Sequence, residues 1–559
     1  MSLVRSAAPW AALGVVLWFI WKLIRHYFPS SLDNIPGPSS HSVLKGSMDR
    51  AQKLDGWPFL EQLTDDYGQV VKITGLLHKR ALWVFDPTAL HHIVLKDQDI
   101  YEELPSVITG RKLFVGLGLF TTIGDHHRRQ RKLLNPVFSV AHMRRLTPIF
   151  YEVTNRLRAG IEDQLRLSTS SDVDLLNWMG RAALELIGQG GFGHSFDPLV
   201  EDVPNDFANA IKDFIPVSAR LILFLVFLPF FRPLVDACER RPALAAFVGR
   251  CFARVPHAGL RRLKAITDVL DRTSRAIYAA KRAALESEDP ETKMRVLEGR
   301  DLMSVLLREN MSADAADRLP EHEIIAQITT FTFAGTDTTS NALARILHLL
   351  CLHVDVQEKL RAEVLEARAQ NGGRDLEYDE LVALPYLDAI CRETLRLFPP
   401  VPFVSRVCTR DAVLPLSAPL PLRDGSTTQA VHVPAGTTVV IAIHSANRSK
   451  DIWGEDAREW NPERWLEGKL PGSVTEAKIP GVYSNLMTFT GGGRSCIGFK
   501  FSQLEMKVVL AMLVSSFRLS LCKGANADIV WNRAPIAYPT VGSVGMAPRL
   551  PVQLEPLSG

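Results

Sequence analysis

Ten residues near the C-terminus, Phe489 to Gly498 (FTGGGRSCIG), constrain this chain more than any other stretch. Gly491, Gly492 and Gly493 let the backbone pass close to a bulky neighbour or adopt positive φ. Successive N–H groups in such a turn point at an anion. Cys496 as a thiolate is one, and those donors would lower its basicity. Arg494 offers a planar fork suited to a carboxylate. Phe489 supplies an aromatic wall. Gly498 permits close approach where a helix, Phe499 to Phe517, is predicted to begin, and the dipole of that helix favours negative charge. A lone cysteine is more often a small buried hydrophobe, but these neighbours argue for more. Zinc is excluded, because no second cysteine or histidine stands at ligand spacing. GGGRS lacks the spacing of a phosphate loop. A cysteine hydrolase needs a base, and nothing singles out one of the 15 histidines.

The rest of the chain supplies the frame. It has 559 residues, 47% hydrophobic and 22% charged, which is ample for a core. The net charge of +3 creates no bulk field that would call for nucleic acid. Seven cysteines, Cys238, Cys251, Cys351, Cys391, Cys408, Cys496 and Cys522, form no CxxC and no disulfide framework. Free thiols fit a reducing compartment. Ala7 to Trp21 carries no charge and is flanked by Lys22 and Arg25. It reads as a retained, single-pass anchor with the body in the cytosol. NIPGPSS, Asn34 to Ser40, reads as a stiff hinge. The boundaries expected are residues 1–28 for the anchor, 29–45 for the hinge and 46–559 for the catalytic domain. Val70 to Ile73 and Ala81 to Phe85 read as a strand pair. Most of the remainder is helical in pattern. The longest run, Glu321 to His353 after Pro320, contains a glycine and six threonines at its centre, TTFTFAGTDTTS. These are poor helix formers. The pattern alone permits one helix or two, the second capped by Asp337 or Thr339. Leu221 to Phe231 (LILFLVFLPFF) is a core segment or one that dips into a membrane.

The spacing F-x-x-G-x-R-x-C-x-G, carried by Phe489, Gly492, Arg494, Cys496 and Gly498, resembles the haem-binding loop of the cytochrome P450 family, whose cysteine is the proximal thiolate ligand. Four further segments match in order. ETLR, Glu393 to Arg396, resembles the E-x-x-R of the family's K helix; alone it would read as a surface ion pair. PERW, Pro462 to Trp465, adds Arg464, which the family places in a buried triad with Glu393 and Arg396. Trp465 stands where phenylalanine is common. AGTDTT, Ala334 to Thr339, resembles the oxygen-side groove of the I helix and implies one locally opened helix. There Thr338 takes the hydrogen-bonding role and Asp337 passes protons from solvent. GDHHRRQRKLLNPVFS resembles the C helix, with His127 in the usual tryptophan place and Arg131 expected on a haem propionate. PPVPFVSR places Arg406 as another propionate partner.

The resemblance implies a mainly α fold with a small β part, the cytochrome P450 fold, preceded by one N-terminal transmembrane helix. It implies a monooxygenase that places one oxygen atom from O2 in a lipophilic substrate. Haem b is the implied cofactor. NADPH acts indirectly through a separate NADPH-cytochrome P450 reductase, with cytochrome b5 as a second donor, since no GxGxxG follows a strand. Arg128, Arg129 and Lys132 are expected on the docking face. Leu221 to Phe231 falls near the lid, and Leu113 to Phe120 on another pocket wall. The chain reads as an endoplasmic-reticulum enzyme of fungal secondary metabolism, with a terpenoid as the substrate expectation. Two rivals are a reductase-independent isomerase or dehydratase, which has less need of Asp337 and Thr338, and a non-enzymatic haem sensor. The sequons at Asn310 and Asn447 are expected to stay unmodified.

Overall fold

The computed structural model describes Leu17 and residues 29–559, except 41, 43–44, 169, 201–205, 221–230, 232, 236, 239–240, 288, 290–298, 525–526 and 558–559. The expected anchor, Leu17 apart, and nearly all of Leu221 to Phe231 lie outside the described residues. Among the described residues, no helix is long and apolar enough to cross a membrane.

The elements that position the site are, in chain order, β1 (Val70–Thr74), β2 (Arg80–Val84), β3 (Tyr101–Glu103), α1 (Pro105–Val115), α2 (Gly124–Leu134), α3 (Val140–Leu167), α4 (Leu175–Leu186), α5 (Asp206–Arg220), α6 (Ala258–Glu286), α7 (Glu321–Leu352), α8 (Val354–Gln370), α9 (Pro385–Leu397), β4 (Val404–Cys408), β5 (Thr438–Ile441), α10 (Phe499–Ser516), β6 (Ile529–Asn532) and β7 (Tyr538–Val541). Helices dominate, with sheet at the margins.

α7 is the axis. Pro320 precedes it, and it runs unbroken for 32 residues. The choice between one helix and two is settled by packing and by the threonines themselves. Thr330, Thr332, Thr336 and Thr338 each donate to the carbonyl four residues back, at 2.7–2.8 Å. Their hydroxyls are thus satisfied within the helix. α4, α6, α9 and α10 pack around α7, and burial on several sides outweighs weak propensity. Asp337 caps nothing; its carbonyl accepts from the Asn341 amide at 2.8 Å and the Ser340 hydroxyl at 3.2 Å.

The main sheet has the order β1-β2-β5-β4-β3. β1 and β2 pair antiparallel as expected, with Val70 opposite Val84. Their connection passes through Leu77 and His78, both at positive φ. β3 lies against β4 so that Glu103 faces Arg406. The segment expected as a hinge is docked: Lys72 N–H on β1 donates to Pro36 O at 2.8 Å. A Cβ on Gly37 would stand 1.9 Å from the Lys72 carbonyl oxygen, so only glycine fits there.

Glu393 and Arg396 on α9 are fully buried and joined by two parallel bonds of 2.7 and 2.8 Å. Arg396 also donates to the carbonyls of Asn447, Ala457 and Glu459. Glu393 accepts from Asn461 N–H at 3.0 Å and from the Trp465 indole at 2.9 Å. Arg464 approaches Glu393 at 3.5 Å, but its closer partner is Asp456 at 2.8 Å. A buried ion pair is tolerable only when its remaining donors and acceptors are satisfied, and here they are. Tryptophan in place of the usual phenylalanine therefore adds a donor to a buried carboxylate. Trp465→Phe is expected to lower stability by about 1.5–3 kcal/mol, the worth of a hydrogen bond to a charged group. Thermal midpoints of the two proteins would show it, and equal midpoints would mean that water replaces the indole.

Candidate active site

The cysteine loop is shaped by contact with the protein itself. Gly492 sits at φ +67°, and a Cβ there would lie 1.7 Å from the Val94 carbonyl oxygen. A Cβ on Gly491 would lie 1.8 Å from Pro480 O. The loop closes through Cys496 N–H to Phe489 O at 2.9 Å and Ser495 N–H to Gly492 O at 3.1 Å. Phe489 packs between Tyr483 and Phe499, with ring centroids 5.6 and 6.1 Å away. Gly498 differs: a Cβ there would meet nothing nearer than Phe138 at 3.9 Å. The protein itself thus does not demand glycine at position 498, beside Cys496.

Cys496 carries accessible surface, yet protein encloses it closely enough for burial to push its thiol up. The Gly498 N–H and Arg131 pull in the opposite direction, and burial outweighs them. The loop donors thus do not by themselves make the thiolate; a cation bound to the sulfur is what would. Ala334, in the middle of the axial helix, is likewise accessible. Phe138 joins the two regions, touching the Gly498 position and meeting Phe331 of α7 edge-on at 5.3 Å.

A cationic cluster stands beside the loop. Arg494 pairs with Glu102 at 2.9 Å. Arg406 pairs with Glu103 at 2.7 Å, and Arg111 of α1 reaches the same carboxylate at 3.4 Å. Arg131 donates to the Ser495 carbonyl at 2.5 Å and the Ser495 hydroxyl at 3.1 Å, so it clamps the loop rather than standing free. Four guanidinium groups face two carboxylates, which leaves a surplus of two positive charges. His127 is buried among them. Burial first, then Arg494, Arg131 and Arg406, hold its ring at a pKa of about 3, so it is neutral. No hydrogen bond to its ring is made by the described residues. An accessible cysteine, an accessible helix face and a twofold positive surplus with an unpartnered imidazole fit an iron porphyrin bearing two propionates.

On the α7 side, Thr338 donates its hydroxyl proton to Ala334 O, so it presents acceptor lone pairs to the space. Burial lifts Asp337 to a pKa of about 6, with Lys212 of α5 pulling the other way. A carboxyl poised there can both hold and release a proton near neutral pH. Phe333 of α7, Phe214 of α5 and Phe114 of α1 form a chain of edge-on rings, with centroids 4.9 and 5.0 Å apart. Phe120 adds a fourth ring, 6.3 Å from Phe333. The expected wall at Leu113 to Phe120 thus joins the helix that carries Asp337 and Thr338.

Sequence reading named Cys496, Arg494, Arg406, Arg131 and His127, and the structure brings them together. It missed Glu102 and Glu103, whose partners Arg494 and Arg406 lie far off in sequence, and with them Arg111, which meets Glu103 from eight residues away. It also missed Asn447, fully buried, whose amide accepts from Met487 N–H and donates to Thr488. The Asn310 side chain is likewise bound, to the Leu319 backbone. The expected docking cations each have an acid beside them: Arg128 with Asp125, Arg129 with Glu323 and Lys132 with Asp317.

Comparison with known proteins agrees with this geometry. A family model described as Cytochrome P450 matches residues 36–533. Cytochrome P450 monooxygenase 91 of Postia placenta is 47% identical over 541 residues, covering 97% of both chains. A protein named ganoderic acid synthetase CYP5150L8, of Ganoderma lucidum, is 41% identical over 550 residues, covering 98% of both. The chain belongs to the cytochrome P450 family and is a haem-thiolate monooxygenase. Haem, when bound through Cys496, supplies the activation of dioxygen. The chain's own residues hold the loop in place; the arginine surplus would offset the charge of the propionates, and the Asp337 carboxyl would hold a proton nearby.

Two outcomes follow from these environments. Asp337→Asn is expected to lower product formation about 100-fold or more, the usual worth of positioned proton transfer. The same substitution has a stability signature. A carboxyl raised in the folded state costs stability as pH rises from its unfolded value near 3.8 through about 6. Asp337→Asn therefore raises the thermal midpoint relative to wild type at pH 8 and leaves it nearly unchanged below pH 4. An equal shift at both pH values would disprove the buried carboxyl.

Proposed function

We propose that this monooxygenase oxidises a terpenoid in secondary metabolism, drawing electrons from a separate NADPH-dependent reductase at the endoplasmic-reticulum membrane. The observation that carries the substrate class is the cage of Phe114, Phe120, Phe214 and Phe333 around the accessible face of α7. Among the described residues it offers three rings without a charged side chain stacked on them and a fourth, Phe120, covered by the Arg111 guanidinium at 3.7 Å, which suits a largely apolar skeleton. The name of the Ganoderma lucidum relative supports the same class. Residues 1–28 would anchor the chain. Arg128, with its side chain three-quarters exposed, is the most accessible of the three cations proposed for reductase docking.

The test is reconstitution in membranes with the reductase, NADPH and a panel of terpenoids. Products carrying one added oxygen atom are expected only when reductase and O2 are both present. Turnover of lipid peroxides without NADPH would replace this reading with the isomerase or dehydratase. In the same membranes, reduced protein exposed to carbon monoxide is expected to show the far-red-shifted Soret band of thiolate-ligated haem, absent in Cys496→Ala. Phe333→Ala is expected to broaden substrate choice while keeping that band, because it enlarges the cage without touching the loop.

A further inference from the structure

The segment that joins α1 to α2, Gly116 to Ile123, belongs to no helix or strand, yet Gly118, Leu119, Thr121 and Thr122 are buried. Buried backbone N–H and C=O groups need partners. Two glutamines supply them from outside the segment. Gln327 of α7 accepts from Leu119 N–H at 3.0 Å. Gln130 of α2 donates to Leu117 O at 2.8 Å and accepts from the Thr122 hydroxyl at 3.1 Å. Both glutamine side chains are fully buried. Thr121 ties the segment to itself, donating its hydroxyl to Gly118 O at 3.0 Å.

The two anchors are fixed to each other. The Gln130 amide also donates to Glu323 Oε2 at 2.6 Å, and His126 Nε2 lies 2.9 Å from the same oxygen. His126 and Gln130 are one turn apart, so one face of α2 grips the first turn of α7. The segment presses on α7 directly as well. A Cβ on Gly118 would stand 2.2 Å from the Thr330 hydroxyl and 2.9 Å from Ala326 O.

What these contacts position is Phe120, the residue after Leu119. Its ring stands 6.3 Å from that of Phe333, with the Arg111 guanidinium 3.7 Å from its centroid. Leu119 N–H is the tie to α7 next to that ring, and it rests on one bond. The Gln327 Nε2 is buried without a partner among the described residues, so the side-chain carbonyl alone does the holding. An apolar side chain of similar volume at position 327 would leave a buried N–H without an acceptor. The segment would then shift to find one, and Phe120 would shift with it.

We propose that Gln327 and Gln130 determine which molecules this monooxygenase accepts, by holding the Leu117–Leu119 backbone so that Phe120 stands in the aromatic cage. They are positioning residues and act on substrate only through that ring. The proposal rests on the reading of the cage as the substrate space.

The test uses the detergent-solubilised holoenzyme and two probes that bind haem through a ring nitrogen, imidazole and the bulkier phenylimidazole. Soret shifts give the two dissociation constants. Phe120→Ala is expected to weaken phenylimidazole about tenfold and to leave imidazole within about twofold. Gln327→Met is expected to do the same, because it keeps the volume and removes the acceptor. In the Phe120→Ala background Gln327→Met is expected to add nothing, since its effect passes through the ring. Gln130→Met releases Leu117 and is expected to change the ratio of the two constants in the same direction. It keeps the test open should Gln327→Met fold poorly. Each variant is expected to keep the carbon monoxide band. Glutamines that only filled the core would lower the thermal midpoint and leave the ratio alone. An unchanged ratio in both glutamine variants, additive effects in the double variant, or loss of the carbon monoxide band in both glutamine variants would overturn the proposal. An unchanged ratio in Phe120→Ala would fault the cage itself, and the proposal with it.

Discussion

The buried guanidinium of Arg396 is the contact on which the rest of the site depends. Its double bond to Glu393 fixes one face, and its other donors hold the carbonyls of Asn447, Ala457 and Glu459. Asn447 then grips Met487 and Thr488, the residues that lead directly into the cysteine loop. Thr488 in turn donates to Leu395 O at 2.7 Å, back on the helix that carries Arg396. The loop is thus tied at its start to α9. At its far end Cys496 runs into the rigid α10. A glycine-rich loop left to itself would sample many conformations. Here the ordering comes from a charge pair placed where water cannot compete.

The site then divides its electrostatics by side. Near the loop, arginines outnumber glutamates and the histidine is held neutral, a field that favours a bound dianion. Near the middle of α7, rings gather, and the Asp337 carboxyl is held partly protonated by burial. Positive charge would orient and retain an anionic cofactor, while an apolar side would keep water from the reacting region.

Much of this was legible before any coordinates. The loop was readable because five fixed positions resemble the haem-binding loop of a known family. The strand pair and the extent of α7 were readable from period and hydropathy. Whether α7 was one helix or two was not, since the threonines satisfy their hydroxyls against the helix itself and packing supplies what propensity lacks. Gly492 was expected to pass close to a bulky neighbour or adopt positive φ; it adopts φ +67°, and the close neighbour is the Val94 carbonyl. Arg131 was expected on a propionate, yet its donors meet the Ser495 carbonyl and hydroxyl.

The sequence by itself determined the chemistry: a cysteine framed by glycines and an arginine, an acid–alcohol pair on a long apolar helix, and an E-x-x-R with a later arginine. These are local patterns, and local spacing dictates which atoms share a turn or a helix face. Only the tertiary structure decided which charges are cancelled. Glu102 meets Arg494, Glu103 meets Arg406, and Asp456 stands closer to Arg464 than Glu393 does. The physical reason is that an ion pair depends on distance and dielectric. Both are set when the chain folds, whether the partners stand 392 residues apart, as Glu102 and Arg494 do, or only eight, as Asp456 and Arg464 do.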